Sequence, residues 1–309
     1  MIKSKISRIT FGCEPLGGTD WGNFDLNEVH NAIKSAIERG INSFDVADVY
    51  GLGKAEIELS KALGSYRKEA FIITKFGVRW SQSTEGGRAK TCFDSSPNYL
   101  FKALENSLKR LKIDAIPLYL VHWPDERTKI EDTLMALEKV KKEGKIIHFG
   151  LSNFFSQSLY MKLTDFNISA IQLPLNLLDF KRSENIFNEA MNQNVSTLSY
   201  GPLAQGLLSG KYNSLTNFDK SDRRSRLAHF QSHNWDYNFK IIQTLESLSS
   251  KYEKSISQIS IRWVIDNFNL DSVIVGAKTV NQINSNIDTL NFKLEKSDID
   301  LLNKIIGYN

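Results

Sequence analysis

Short apolar runs alternate with longer segments of helical periodicity along the 309 residues of the chain. The runs are rich in β-branched and aromatic residues, which favour strands. They predict eight strands, at 7–12, 41–45, 70–75, 116–122, 146–151, 169–173, 195–200 and 272–275. Apolar residues at three- and four-residue spacing predict helices between and after the strands, at 26–39, 54–63, 97–111, 129–143, 156–165, 182–193, 256–268 and 279–289.

Eight strands that are each followed by a helix predict an α/β fold, a closed (β/α)8 or TIM barrel, with residues 1–309 as a single domain. A doubly wound open sheet is the alternative, but its glycine-rich fingerprint fits the GCEPLGG stretch after the first strand poorly. Two segments, 76–96 and 201–236, exceed the simple repeat, and we expect them to form long loops at the C-terminal face, which in a compact domain are usually functional or disordered. Extra helices are predicted at about 237–252 and 296–306.

The composition narrows the classes of function. The net charge of +4 is spread along the chain without a basic block, so we expect no nucleic-acid binding, although an anionic small molecule is compatible with it. We see no signal peptide and no apolar run of the ~18 residues that a membrane span needs, so we expect no membrane association. The two cysteines, Cys13 and Cys92, form no metal-ligand spacing and no disulfide framework. The cytoplasm is therefore the expected location.

Polar residues collect at the carboxyl ends of the predicted strands, where barrel enzymes have their active sites. Asp45 ends the second strand and Tyr50 follows it, while Lys75 ends the third strand and His122 the fourth. Each of these residues alone is more often structural, as a helix cap, a half-buried aromatic, an ion-pair partner or a packed histidine. Their coincidence on consecutive strand ends favours an active site.

These four side chains together suit one reaction, in which a carbonyl oxygen is protonated while a cofactor delivers hydride to the carbon. A free tyrosine has a pKa of ~10 and is a poor proton donor or acceptor near neutral pH. We expect the Lys75 ammonium to lower the pKa of Tyr50, and Asp45 to hold Lys75 in place. His122 would orient the substrate oxygen through a hydrogen bond.

The stretch INSFDVADVYGLGKAEIELSKAL resembles the signature of the aldo-keto reductases. The resemblance continues through IITK, LYLVHWPD, KIIHFGLSNF, YGPLAQGLLSGKY and VIVGAKTVNQINSN, and so covers nearly the whole chain in the expected order. It implies a (β/α)8 barrel, a nicotinamide dinucleotide that is usually NADPH, and a catalytic tetrad of Asp45, Tyr50, Lys75 and His122. Tyr50 would be the general acid in reduction and the general base in oxidation.

The resemblance also implies the cofactor contacts. Ser152, Asn153 and Gln172 would contact the nicotinamide carboxamide, and Tyr200 would stack on the ring. The residues that would bind the pyrophosphate and the adenosine end are Gly201, Pro202, Leu203, Gln205, Gly206, Leu208, Gly276, Lys278, Thr279, Gln282 and Asn286.

One departure from the family pattern concerns the 2′-phosphate of the cofactor, which Lys278 and Thr279 would meet. Relatives with this pattern often carry Arg where Thr279 stands, and Arg holds a phosphate with two hydrogen bonds where Thr offers one. We therefore expect NADPH (NADP+) to be preferred less strongly than is usual, with NADH as a weaker alternative. Lys278 could instead be a solvated lysine at the start of a helix.

Loops above the tetrad would select the substrate, a small-molecule carbonyl compound. An apolar wall is expected from Trp21, Trp80 and Trp123, with Phe93 as a further candidate. The segment 219–230, DKSDRRSRLAHF, is either a solvated loop or a contact for a phosphate on the cofactor or on a nucleotide-linked sugar. The 76–96 segment adds the charged residues Arg79, Glu85, Arg88 and Lys90.

We therefore interpret the chain as a cytoplasmic NADPH-dependent enzyme that reversibly reduces an aldehyde or ketone. A narrower version is a ketoreductase acting on a sugar or nucleotide sugar. The alternative is an NADPH-binding regulatory subunit of low turnover with the same fold, which the intact tetrad disfavours. A barrel lyase or isomerase without nicotinamide is a third possibility. The sequence does not predict the oligomeric state.

Overall fold

Eight parallel strands close into a barrel in the computed structural model, which describes residues 2–19, 21–22, 24–81, 89–156, 163–220 and 222–308. The barrel strands are β1 Ile9–Gly12, β2 Ser43–Asp45, β3 Phe71–Phe76, β6 Ile116–Val121, β7 Ile146–Ser152, β8 Ala170–Pro174, β9 Ser196–Tyr200 and β10 Ser272–Gly276, with β4 Val78–Trp80 and β5 Thr91–Phe93 between β3 and β6. The order around the barrel is β1-β2-β3-β6-β7-β8-β9-β10, and β10 pairs with β1. The predicted strands and the predicted barrel are confirmed.

Alternate residues of the strands separate into two apolar layers. Ile73 and Leu118, which are partners in the ladder between β3 and β6, belong to a small cluster that fills the barrel. Their sequence neighbours Ile72 and Tyr119 belong to the larger cluster between the barrel and the helices. Because a parallel strand is covered on both faces, its residues are apolar almost throughout, and the strands therefore read as short continuous apolar runs.

Within the described residues, α-helices span Leu26–Glu38, Lys54–Leu63, Pro97–Leu111, Ile130–Lys142, Lys181–Asn192, Trp235–Tyr252, Ile256–Asn267, Val280–Asp288 and Lys296–Ile306. Side-chain caps define several of their starts: the Ser96 hydroxyl accepts the Tyr99 N–H, and Ser255 forms a capping box with Gln258. These helices lie close to the predicted positions. The helix predicted at 156–165 lies mostly outside the described residues.

The two long segments differ from the simple strand–helix repeat. In the first, β4 and β5 form an antiparallel hairpin that the sequence analysis did not predict, because the exposed β5 shows no apolar alternation. Glu85 and Arg88 lie outside the described residues. The segment 201–236 consists mainly of short 3-10 turns, among them Ala204–Ser209 and Arg223–Arg226. In the part of the chain that the structure describes, no helix is long and apolar enough to cross a membrane.

Candidate active site

The loop that carries Tyr50 is held by a close approach of two glycines. Gly17 follows β1 and Gly51 follows Tyr50, and a Cβ atom on Gly51 would lie 2.3 Å from the Gly17 carbonyl oxygen. Gly51 also has a φ of 57°, which side chains rarely adopt. Glycine is therefore required for the loops after β1 and β2 to pack together. This packing fixes Tyr50 at the mouth of the barrel.

Lys75 and Asp45 form a buried ion pair at the ends of β3 and β2. Lys75 Nζ lies 2.7 Å from Asp45 Oδ1 and donates a second hydrogen bond, of 2.9 Å, to the Val46 carbonyl oxygen. The other carboxylate oxygen, Oδ2, accepts a hydrogen bond of 2.7 Å from Gln172 Nε2. Both oxygens of the buried carboxylate therefore have a partner, as a charge removed from water requires.

A chain of hydrogen bonds connects this ion pair with Tyr200 on the other side of the barrel. Ser152 Oγ donates to Gln172 Oε1 at 3.2 Å, and Asn153 Nδ2 donates to Ser152 Oγ at 3.2 Å. The Tyr200 hydroxyl donates to Asn153 Oδ1 at 2.7 Å. The side chains predicted to hold a carboxamide thus already form one buried amide and hydroxyl array beside the tetrad.

Tyr50 and His122 face each other next to Lys75. The two rings meet edge to face with centroids 5.8 Å apart, and Lys75 Nζ lies 5.3 Å from the Tyr50 ring centre. Burial, together with the Lys75 charge, holds the pKa of His122 well below its usual value. The imidazole is therefore neutral at physiological pH and can donate one N–H. Its Nδ1 atom is buried and has no hydrogen-bond partner among the described residues.

The pKa of Tyr50 differs from the sequence-based prediction. Burial raises the pKa of Tyr50 well above its usual value, and the carboxylates of Glu14 and Asp45 raise it further. The prediction that this pKa lies below its usual value is therefore wrong. The reason is that the Lys75 charge is compensated by Asp45 at 2.7 Å, while desolvation opposes the phenolate. Tyr50 is a neutral phenol, which is the form that donates a proton.

A cavity of about 610 Å³ opens above these residues at the carboxyl ends of the strands. Asp45, Tyr50 and His122 line it, and Lys75 lies buried behind them. At one side it reaches Trp123, and at the other it extends along 201–206 to the start of the helix Val280–Asp288. Its volume lies in the range of small-molecule and cofactor sites.

The comparison with known proteins agrees with this geometry. The model of the aldo/keto reductase family matches residues 8–306. The chain belongs to the aldo/keto reductase family. It is an NAD(P)H-dependent oxidoreductase of carbonyl groups, in agreement with the resemblance found in the sequence.

Several relatives of this aldo/keto reductase match it along most of their length. An aldo-keto reductase of Bacillus subtilis is 30% identical over 97% of this chain and 90% of its own. An NADP(+) aldo-keto reductase of Schizosaccharomyces pombe is 29% identical over 95% of this chain and 86% of its own. The solved structure of a glycerol dehydrogenase from Gluconobacter oxydans superposes with a TM-score of 0.88 and 32% identity, covering 98% of this chain and 93% of that one.

Most residues that the sequence analysis assigned to the cofactor line the cavity of the aldo/keto reductase. They are Ser152, Asn153, Gln172, Tyr200, Gly201, Pro202, Leu203, Gln205, Gly206, Gly276, Lys278, Gln282 and Asn286. Leu208 is instead buried in the core, where its carbonyl oxygen accepts a hydrogen bond from Ser260. Thr279 caps the helix Val280–Asp288, and its hydroxyl oxygen accepts the Gln282 N–H.

The three tryptophans predicted to form one substrate wall are separated in the structure. Trp123 lines the cavity beside His122 and stacks on Phe93 with ring centroids 5.9 Å apart. Trp80 lines a different surface pocket, between the β4–β5 hairpin and the helix Pro97–Leu111. Trp21 lines the cavity but contacts Lys278. Trp80 therefore does not belong to the predicted aromatic wall, whereas Trp123 pairs with Phe93 and Trp21 lines the same cavity next to Lys278.

Several charged residues of the cavity were missed or left open by the sequence analysis. Glu14 lies two residues after β1 and could have been found by examining that strand end as the others were. Lys211 carries no local signal. Arg223 and Arg224 belong to the segment 219–230, whose alternative as a purely solvated loop does not hold, since both line the cavity.

Proposed function

We propose that this aldo/keto reductase reduces an aldehyde or ketone to the alcohol, and catalyses the reverse oxidation, with Tyr50 as the residue that gives or takes the proton. One arrangement carries the proposal: a cavity-facing phenol lies beside the buried Lys75–Asp45 ion pair and a neutral His122. This arrangement brings together a proton donor, a charge near the oxygen that becomes anionic and a hydrogen-bond donor for the substrate.

Each residue has a separate part in this reaction. Tyr50 donates its proton to the carbonyl oxygen in reduction, and Lys75 stabilises the phenolate that remains. Asp45 and Gln172 keep Lys75 in place through the bonds on the two carboxylate oxygens. His122, as a neutral imidazole, donates a hydrogen bond to the substrate oxygen and directs it towards Tyr50. The bound nicotinamide supplies the hydride, which no protein side chain can do.

The cavity fits a phosphorylated nicotinamide dinucleotide. The amide array of Ser152, Asn153 and Gln172 offers donors and acceptors for a carboxamide, and the Tyr200 ring lies beside it. Its described lining includes two acidic side chains, of which Asp45 is paired with Lys75. The cationic side chains of the lining are Lys211, Arg223, Arg224 and Lys278. This excess of positive charge favours NADPH over NADH.

For the substrate we propose a polyhydroxylated carbonyl compound, such as a sugar or a nucleotide sugar. The Trp123–Phe93 pair offers an apolar face at one side of the catalytic residues, with Phe93 47% exposed. Glu14 places a carboxylate in the same cavity, where it can accept hydrogen bonds from hydroxyl groups. A cavity that offers both an aromatic face and a polar group suits a sugar ring better than a purely apolar aldehyde.

The test is a carbonyl panel with the purified protein and either NADPH or NADH, followed by the absorbance of the reduced cofactor. We expect turnover, faster with NADPH, and better with ketoses or nucleotide-linked ketosugars than with simple alkyl aldehydes. Better turnover of simple aldehydes would contradict the proposed substrate class but not the proposed reaction. Tight NADPH binding without turnover of any carbonyl would favour the regulatory alternative.

A further inference from the structure

A second cavity lies between the β4–β5 hairpin and the helix Pro97–Leu111, and we call it the hairpin pocket. Its volume is about 570 Å³, which lies in the range of small-molecule sites. In the described part of the chain, it shares no lining residue with the active-site cavity. The hairpin pocket is therefore separate from the place where we expect the carbonyl group to react. Its lining includes Asp48, Trp80, Asn98, Tyr99, Lys102 and Asn106.

Asp48 is the polar residue of this lining that is completely buried. Both of its carboxyl oxygens lack a partner in hydrogen-bond geometry among the described residues. Its backbone N–H donates to the Lys75 carbonyl oxygen at 3.3 Å, so this end of the pocket lies next to the loop that carries Tyr50. A buried carboxyl group without a partner calls for an explanation, and a ligand that brings a hydroxyl group to it provides one.

The charge state of Asp48 favours a neutral partner. Burial raises the pKa of Asp48 well above its usual value, and the Glu56 carboxylate raises it further. The Arg110 charge and the Val49 N–H offset this rise only in part. The neutral carboxylic acid is therefore favoured, and it can both donate and accept a hydrogen bond. A hydroxyl group, which also donates and accepts, suits it better than a metal ion or an ammonium group does.

Trp80 gives the hairpin pocket an aromatic wall. Its indole is partly exposed and contacts no other aromatic ring and no cation among the described residues. Tyr99 adds a second, partly buried ring, whose hydroxyl group donates to the Val78 carbonyl oxygen at 3.4 Å. The face of an aromatic ring carries partial negative charge, so it attracts the C–H groups of a sugar ring, which carry partial positive charge.

The helix Pro97–Leu111 adds polar groups to the pocket. Asn98, Lys102 and Asn106 follow one another at four-residue spacing, and therefore share one face of the helix. The two amides each offer hydrogen-bond donors and an acceptor. Both arginines of the lining are ion-paired with carboxylates, so most of the charge in the pocket is compensated. An aromatic wall beside groups that donate and accept suits a neutral, hydroxylated ring.

We propose that the hairpin pocket is a binding site for a neutral monosaccharide ring of the hexopyranose class. One face of the ring packs on Trp80, and its hydroxyl groups form hydrogen bonds with Asn98, Asn106 and Asp48. The site needs no carbonyl group and no nicotinamide, so it does not depend on the proposed function. Because Asp48 belongs to the loop of Tyr50, the bound sugar lies directly next to the catalytic loop.

Titrations followed by saturation-transfer difference NMR on the full chain, without cofactor, test the site. The probes are the methyl α-glycosides of glucose, galactose and mannose, which have no free carbonyl group and cannot be reduced. We expect at least one to bind, with the strongest transfer to the hydrogens of one ring face. Trp80→Ala removes the aromatic wall and should weaken binding by about tenfold. Asn106→Ala removes one hydrogen-bonding group and should weaken binding by about fivefold.

Tyr237→Ala is the matched control, since Tyr237 is an aromatic residue that is 46% exposed outside both cavities, and its loss should leave binding unchanged. Thermal unfolding followed by circular dichroism identifies the folded variants, and Asn106→Ala alone still tests the site if Trp80→Ala does not fold.

Three results would overturn the proposal. The first is that none of the three glycosides binds the wild type. The second is that the folded Trp80→Ala and Asn106→Ala variants bind as the wild type does. The third is that Trp123→Ala abolishes binding while Trp80→Ala does not, which would place the glycoside in the active-site cavity. Because binding is measured directly, a lack of carbonyl turnover would refute the proposed function and not this site.

Discussion

The ammonium group of Lys75 lies 2.7 Å from the Asp45 carboxylate, in a pair that is almost completely buried. Asp45 therefore neutralises Lys75 before substrate is present, and the phenol of Tyr50 keeps its proton. Lys75 Nζ also lies 5.3 Å from the Tyr50 ring centre, where it is close enough to stabilise a phenolate. In the mechanism that we propose, the ion pair stabilises the product of proton transfer more than the resting state, which is how a positioned charge accelerates a reaction.

The ion pair also contributes to folding, because a buried charge without its partner is costly. We expect Lys75→Met to lower the free energy of unfolding by about 3 kcal/mol, since among the described residues it leaves the Asp45 carboxylate with Gln172 as its side-chain partner. Urea unfolding followed by circular dichroism measures the change. The double variant Lys75→Met/Asp45→Asn should recover part of the loss, because no unpaired charge is left. Equal stability of Lys75→Met and the wild type would contradict the buried pair.

Glu14 should influence the pH dependence of oxidation through Tyr50. Apart from the burial of Tyr50 itself, the Glu14 carboxylate is the strongest influence that raises the pKa of Tyr50. Oxidation needs the deprotonated phenol, so its rate should rise with pH, and Glu14→Gln should move this rise to lower pH. Reduction needs the protonated phenol and should stay flat from neutral pH to about pH 9, since the pKa of Tyr50 lies well above its usual value. The check is a pH profile of both directions; an unmoved profile in Glu14→Gln would argue against this coupling.

His122 should make stability depend on pH below neutrality. Its pKa is held well below the usual 6.5 in the folded chain, so between these two values the unfolded chain binds the extra proton. The free energy of unfolding therefore rises with pH between the folded-state pKa of His122 and about pH 6.5. A His122→Gln variant should show a slope smaller by up to about 1.4 kcal/mol per pH unit. Urea unfolding of both proteins between pH 5 and 7 tests this, and parallel slopes would refute it.

The glycine contact behind Tyr50 gives a further test. An alanine at Gly51 would bring its Cβ 2.3 Å from the Gly17 carbonyl oxygen, at a φ of 57°. We expect Gly51→Ala to displace the Tyr50 loop, to destabilise the fold by more than about 1 kcal/mol and to reduce kcat by at least about tenfold. Gly40→Ala is the control, since Gly40 has a φ of 85° with nothing within 4 Å. Similar losses in both variants would attribute the effect to backbone conformation alone.

The barrel could be predicted from the sequence because the pattern that specifies each strand lies within the residues of that strand. Strands buried on both faces read as apolar runs, and Asp45, Lys75 and His122 stand at their ends, so the site follows from the fold class. The course of the loops is not encoded in this way. Trp21 and Trp80 were expected beside Trp123. In the structure Trp21 contacts Lys278 and Trp80 lines a separate pocket, because packing between residues far apart in the sequence positions these loops.

The direction in which the pKa of Tyr50 shifts could not be predicted from the sequence either. Lysine near tyrosine lowers the phenol pKa only if the lysine charge is not compensated. Here the direction of the pKa shift depends on the burial of Tyr50, on the orientation of Asp45 and on the presence of Glu14. Glu14 and Arg223 lie 209 residues apart in sequence and meet only in the folded chain.

The central claim is that Tyr50 transfers the proton, and the variant Tyr50→Phe tests it most directly. Only the hydroxyl group is removed, so NADPH binding, measured by calorimetry, and the thermal unfolding temperature should stay close to those of the wild type. Single-turnover reduction of the best carbonyl substrate should slow by at least about a hundredfold, as loss of a general acid does. A folded variant that binds NADPH and still reduces the carbonyl at nearly the wild-type rate would show that another group donates the proton.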